Sequence, residues 1–139
     1  MLANLNLIDL ISEKHAKLRK LVRDEWANKG EEYISDTESY MLALLEREKM
    51  TVSQLARQID MSRQGAHKCA RGLLERGYIE VSEGDGNSRD KVLMLTKKGQ
   101  AFCKQTLLVK EQLEDEIKEA IGVERFEVLK EIMSKKWMQ

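Results

Sequence analysis

Between Gly77 and Thr96 the apolar period of this chain switches from 3.6 to 2 and then switches back. Tyr78-Ile79-Glu80-Val81-Ser82 alternates, and so does Lys91-Val92-Leu93-Met94-Leu95-Thr96. Such alternation sorts side chains onto the two faces of a strand. Residues 83–90 between them are rich in Gly, Asp and Asn, the chemistry of a hairpin tip. An isolated hairpin is marginal in water, so this one must rest on the helices that flank it.

The flanks are helical in pattern. From about Leu5 to Asn28, the residues Leu7, Ile8, Ile11, His15, Leu18, Leu21, Val22 and Trp26 recur at three- and four-residue intervals, one stripe of a long helix that Gly30 can end. Ser35 or Asp36 caps a second helix. If Ser35 is the cap, Glu38 completes a capping box. The expected core face of this helix is Tyr40, Met41, Leu44 and Leu45. A short third helix opens at Thr51 or Ser53 and carries Val52, Leu55, Ala56 and Ile59. Asp60-Met61 breaks it, and Ser62 caps a fourth that runs to Arg76 and stops at Gly77. After the hairpin, Thr96 stands as the cap of a long helix carrying Phe102, Leu107, Leu113, Ile117, Ala120 and Ile121. Gly122 interrupts it, and Phe126, Leu129, Ile132, Met133 and Trp137 mark a last helix. The expected fold is mainly α with a small β-hairpin wing: a winged helix-turn-helix with helices on both sides. The 139 residues suit one domain, 1–139, with a winged unit at 36–99 between flanks 1–30 and 100–139.

Charge narrows the function. The total is zero, with 24 Lys and Arg against 24 Asp and Glu, but the distribution is uneven. Arg63, Lys68, Arg71 and Arg76 face only Glu75 within residues 62–76, a balance of +3, whereas residues 100–131 carry −3. Local fields, rather than the total, steer a polyanion. On the fourth helix Ala66, Cys69, Ala70, Leu73 and Leu74 are the expected buried face. Arg63, His67 and Arg71 form the opposite stripe, flanked by Gln64 and Lys68. Arg, Lys and Gln are the side chains that read G and A edges in a major groove. Ser62 and the free N–H groups of the first turn suit phosphate. At the hairpin tip, Arg89 beside Asn87 and Ser88 suits a narrow minor groove. A solvated basic face and an ordinary turn are the bland readings of the same residues.

The run from Met61 to Ile79, followed by the hairpin and Leu93-Met94-Leu95-Thr96-Lys97-Lys98-Gly99, resembles the multiple-antibiotic-resistance regulator (MarR) family over nearly the whole chain. The resemblance implies that Ser62, Arg63, Gln64, His67, Lys68 and Arg71 face duplex DNA and that Arg89 is the wing-tip arginine. The family usually carries Asp two residues before that arginine, where this chain has Asn87. Gly65 and Gly72 inside the recognition helix also depart from expectation, each costing about 1 kcal/mol against Ala.

The apolar end helices exceed what one small winged unit can cover, so a homodimer is expected, with Leu7, Ile8, Ile11, Phe126, Leu129, Ile132, Met133 and Trp137 at its interface. A monomer with those helices folded back is the alternative. Relatives of this type often bind a small aromatic effector. His15, Trp26 and Tyr40 are the candidates for such a pocket, although helical spacing alone accounts for them as core residues. Cys69 and Cys103 read as inert apolar residues, with redox sensing at Cys69 the alternative. No catalytic constellation, metal site or cofactor is expected: His67 and Cys69 diverge by roughly 200° on a helix and cannot share a metal. The first residues lack the basic start of a signal peptide, and no apolar run is long enough to span a membrane, so a cytoplasmic protein without membrane contact is expected. The expected function is a DNA-binding transcriptional repressor released by a signal. The competing reading is a winged-helix dimer that binds protein instead.

Overall fold

The computed structural model describes residues 4–29, 32–83 and 91–138. Its elements run α1 (Leu7–Asn28), α2 (Asp36–Arg47), β1 (Met50–Thr51), α3 (Val52–Ile59), α4 (Arg63–Glu75), β2 (Ile79–Val81), β3 (Val92–Leu95), α5 (Lys97–Ile121) and α6 (Val123–Ser134). This is the winged helix-turn-helix expected from the pattern. The chain forms two compact units, residues 1–106 and 107–139.

Local chemistry sets the boundaries. Ser35 Oγ accepts from the Glu38 N–H at 3.1 Å, and Glu38 Oε1 accepts from the Ser35 N–H at 2.9 Å, a reciprocal capping box that starts α2. Thr51 and Gln54 make the same exchange at the start of α3. Asp60 ends α3 in the left-handed conformation, φ 60° and ψ 55°, which a short polar side chain tolerates better than most. Ser62 Oγ then accepts from the Gly65 N–H at 3.0 Å and opens α4. Thr96 Oγ1 accepts from the Gly99 N–H at 3.2 Å at the head of α5.

In the first unit, Met41, Leu42, Leu55, Leu73, Tyr78 and Ile79 are almost wholly buried. Trp26 and Phe102 meet edge to face, 4.7 Å between centroids, and the Trp26 ring N–H donates to the Glu32 carbonyl. The sheet has three antiparallel strands in the order β1-β3-β2. Ile79 pairs with Leu95 and Val81 with Leu93, while Met50 pairs with Leu93 from the other side. In the second unit Phe126 is buried, with the Lys118 ammonium 5.0 Å from its ring centroid.

Several expectations need correction. Strand β1 was not expected, because two residues are too short to show a period. Tyr40 is exposed on α2 and Leu42 holds the core position instead. Leu74 is exposed at the edge of the α4 face that buries Ala66, Ala70 and Leu73. Phe126 is already covered within its own chain and offers little to a partner. Trp137 lies beyond the end of α6, where its ring N–H donates to the Ile132 carbonyl at 2.8 Å. It satisfies a helix-terminal acceptor instead of extending the stripe. Gly30 lies outside the described residues.

Candidate nucleic-acid interface

Helix α4 presents its donor-rich face by the same periodicity that buries its back. Ala66, Ala70 and Leu73, 0–2% exposed, seat it on α3 and the sheet. Ser62, Arg63, Gln64, His67, Lys68 and Arg71 are all exposed, as the sequence predicted. Among the described residues, no carboxylate pairs with Arg63, His67, Lys68 or Arg71. Their charges and donors therefore face water unspent. Ser62 Oγ is used as the cap acceptor, which leaves its own O–H free to donate. The Arg63 and Gln64 N–H groups have no partner within the helix, as at any helix start, so the beginning of α4 is a cluster of donors with the positive end of the helix dipole behind it.

A groove of about 260 Å³ runs beside this face, floored by Val52, Leu74 and Val81 and edged by Arg63, Arg71 and Lys91. It explains the exposure of Leu74, which turns toward the base of the wing and away from the core. Lys91 is the site residue that sequence reasoning missed. It stood at the start of an alternating strand, and nothing in the alternation shows that this end of β3 lies against α4. Arg76 departs from expectation in the other direction. Its guanidinium donates to the Gly72 carbonyl at 3.1 Å, to the Tyr33 carbonyl at 2.9 Å and to Glu38 Oε2, so its charge is consumed inside the protein. The cationic face of α4 thus rests on Arg63, Lys68 and Arg71. Asn87, Ser88 and Arg89 lie outside the described residues.

The three residues considered for an effector pocket do not line one cavity. Trp26 borders a cleft of about 10 Å³ with Ser39 and Phe102, room for a single water molecule and too small for an aromatic ring. His15 and Tyr40 are exposed and do not line it. The Ser39 hydroxyl is buried there without a hydrogen-bond partner. For the expected dimer surface, Leu7 and Ile8 are 63% and 76% exposed, and in the second unit Leu129, Ile132, Met133 and Trp137 are 43–52% exposed. Ile11 is half-buried.

The cysteines are quiet. Burial pushes the Cys69 thiol upward from its usual range, and the nearby Glu38 charge pushes it the same way. Cys103 is buried with its sulfur 3.6 Å from the Leu42 carbonyl. Among the described residues, no group of His, Cys, Asp and Glu is placed to hold a metal, and no helix is long and apolar enough to cross a membrane.

Comparison with known proteins shows what this geometry is similar to. Residues 34–89 match the model described as the MarR family. None of the curated proteins is similar to the chain in sequence. Among solved structures, a MarR mutant from E. coli complexed with operator DNA is 19% identical, with 91% of this chain and 90% of that one covered at a TM-score of 0.73. A Mycobacterium tuberculosis MarR family protein in complex with salicylic acid is also 19% identical, over 96% and 97%, at 0.70. MepR, a transcription regulator of Staphylococcus aureus, is 14% identical over 94% and 95%, at 0.67. Such identities establish the fold over both flanking regions, while the family match rests on the winged unit. Over residues 34–89 the chain is similar to the MarR family, and its fold is that of the solved winged-helix regulators of that family.

Proposed function

We propose that this protein is a cytoplasmic, homodimeric repressor that binds a pseudo-palindromic duplex, with the recognition helix 62–76 in the major groove and the wing 83–90 in the minor groove. The observation that carries the reading is the exposed, unpaired donor face of α4: Ser62, Arg63, Gln64, His67, Lys68 and Arg71. Such a face matches phosphate and purine edges. Lys91 at the base of the wing and Asn87, Ser88 and Arg89 at its tip complete the surface in this reading.

The flanks 1–30 and 100–139 serve as dimerisation helices. Leu7, Ile8 and Ile11 in one, and Leu129, Ile132, Met133 and Trp137 in the other, supply apolar area that water would otherwise cover. Two recognition helices about 34 Å apart then read successive turns of DNA. A small aromatic molecule acting on the dimer is the proposed release signal. Support for it is the fold shared with a relative solved with salicylic acid.

Fluorescence anisotropy with duplex DNA from upstream of its own gene, against a shuffled duplex at two salt concentrations, tests the reading. Tight, salt-sensitive and sequence-selective binding is expected. Arg71→Ala should lower affinity for the selected duplex by about tenfold or more, the value of one bidentate contact. A protein that fails to select any sequence from a random duplex library is not a regulator of this kind, and the protein-binding alternative then stands.

A further inference from the structure

In the regulator reading above α4 meets DNA through Ser62 to Arg71, and the helix is held at its C-terminal end. Arg76, its C-terminal cap, lies about 220° around the helix from Arg63 and faces the corner between α1 and α2. There each of its three guanidinium nitrogens makes a hydrogen bond. One N–H returns to the Gly72 carbonyl, one reaches the Tyr33 carbonyl in the α1–α2 connection, and one meets Glu38 Oε2. Glu38 is itself committed, since its other oxygen accepts from the Ser35 N–H as half of the α2 capping box. A single carboxylate therefore starts α2 and anchors the end of α4.

A second set of contacts closes the same corner. The Tyr78 hydroxyl donates to Glu32 Oε1 at 2.7 Å, and Lys98 Nζ lies 2.9 Å from the same oxygen. Lys98 also donates to the Arg76 carbonyl at 2.8 Å and sits 4.4 Å from the centroid of the Tyr78 ring. The α1–α2 connection, the end of α4, the start of β2 and the start of α5 are thus tied through Arg76, Glu38, Glu32, Tyr78 and Lys98. Glu38 and Arg76 are largely withdrawn from water, with side chains 13% and 29% exposed, so this pair is screened less than a surface ion pair.

We infer that Arg76 and Glu38 are positioning residues for sequence reading: they touch no DNA and set the angle at which α4 enters the groove. The inference rests on the regulator reading above. Helix α4 is about 20 Å long, so a tilt of about 5° at its anchored end displaces the reading end by about 2 Å. That displacement exceeds the distance window of a hydrogen bond to a base edge. Phosphate contacts made by flexible Lys and Arg side chains tolerate it, and base contacts do not. Loss of the anchor therefore costs selectivity before it costs non-specific affinity.

The test uses the full chain, a duplex selected from a random library by the wild-type protein, and a shuffled duplex of the same composition. Glu38→Gln keeps the capping box, which accepts Gln as well as Glu, and removes the ion pair. Arg76→Lys keeps the charge and removes the fork. Both variants should remain folded by circular dichroism and lose about tenfold or more for the selected duplex, with less than about twofold change for the shuffled one. Arg76→Gln should leave the salt dependence of binding unchanged, whereas replacing a phosphate-contacting cation lowers the slope by about one. Equal loss on both duplexes assigns the pair a purely structural role and overturns the inference. So does unchanged selectivity in the two folded variants, or a reduced salt slope for Arg76→Gln. A wild-type protein that selects no duplex removes the regulator reading itself, and the inference with it.

Discussion

Gly99 and Gly72 both lie inside helices, and replacing each by Ala should change stability in opposite directions. Helix propensity alone favours Ala over Gly by about 1 kcal/mol at either site. At Gly99, in the first turn of α5, an added methyl group would fall well inside van der Waals contact with the Tyr78 carbonyl oxygen and 3.1 Å from Leu95 Cδ2. The obstacle is backbone, which cannot rotate aside. Moving it costs about 1–3 kcal/mol of overpacking. It also strains the 3.1 Å bond from the Thr96 N–H to that same oxygen, worth about 1 kcal/mol. Against the propensity gain, Gly99→Ala should destabilise the fold by about 1–3 kcal/mol. At Gly72 the nearest atoms are the Arg76 and Glu38 side-chain ends at 3.5 Å, ordinary contact, so the gain of about 1 kcal/mol should survive. Urea unfolding at one fixed protein concentration measures both, since the midpoint of an oligomer moves with concentration. A Gly99→Ala protein as stable as the wild type would refute the close approach between α5 and the Tyr78 carbonyl.

Glu32 should give stability an acid limb. Hydrogen bonds from Tyr78 and Lys98 hold its carboxyl below the ordinary value of 4.5. A depressed folded value contributes stability that is present above about pH 4.5 and lost as pH falls through the folded value. The gap between wild type and Glu32→Gln should be open at pH 6 and closed at low pH. A gap constant across that range removes the ionic contribution. Thiol alkylation at neutral pH should be slow at Cys69, whose ionisation burial opposes, and should require unfolding at Cys103. Rapid modification of either in the native protein contradicts the burial described. Sedimentation equilibrium should give twice the 16.1 kDa chain mass, and Leu129→Asp with Ile132→Asp should halve it. A monomeric wild type ends the dimer proposal.

The sequence reveals most where a local rule has one solution. Ser35 with Glu38, Ser62 before Arg63, and Thr96 three residues before Gly99 each mark a helix start by a pairing confined to one turn, and all three hold in the structure. The donor stripe of α4 was legible for the same reason, because a helix face follows from spacing alone. What stayed hidden depends on distant partners. Strand β1 exists only because β3 offers it a ladder. Tyr40 and Leu42 both fit an apolar stripe, and only the packing of α2 decides between them. Leu74 and Lys91 belong to a groove built from three elements. Arg76 looked like part of a basic patch, and its partners Glu38 and Tyr33 lie 38 and 43 residues away in sequence. The reason Gly99 follows Leu95-Thr96 was likewise not visible, since it lies in the Tyr78 carbonyl just before β2.

The two-residue strand β1 has a folding consequence out of proportion to its size. Met50 pairs with Leu93, so the whole of α3, α4 and β2 is enclosed in a loop whose ends are sealed by that short ladder. Closing a loop costs entropy that rises only slowly with length, and the cost is met once the ladder and the core beneath it form together. Helix α4 and the β1-β3-β2 sheet should therefore open and close as one cooperative unit in hydrogen exchange, with no stage at which the helix is native and the sheet is not. On this expectation α4 has no half-folded form in which it alone stays in place.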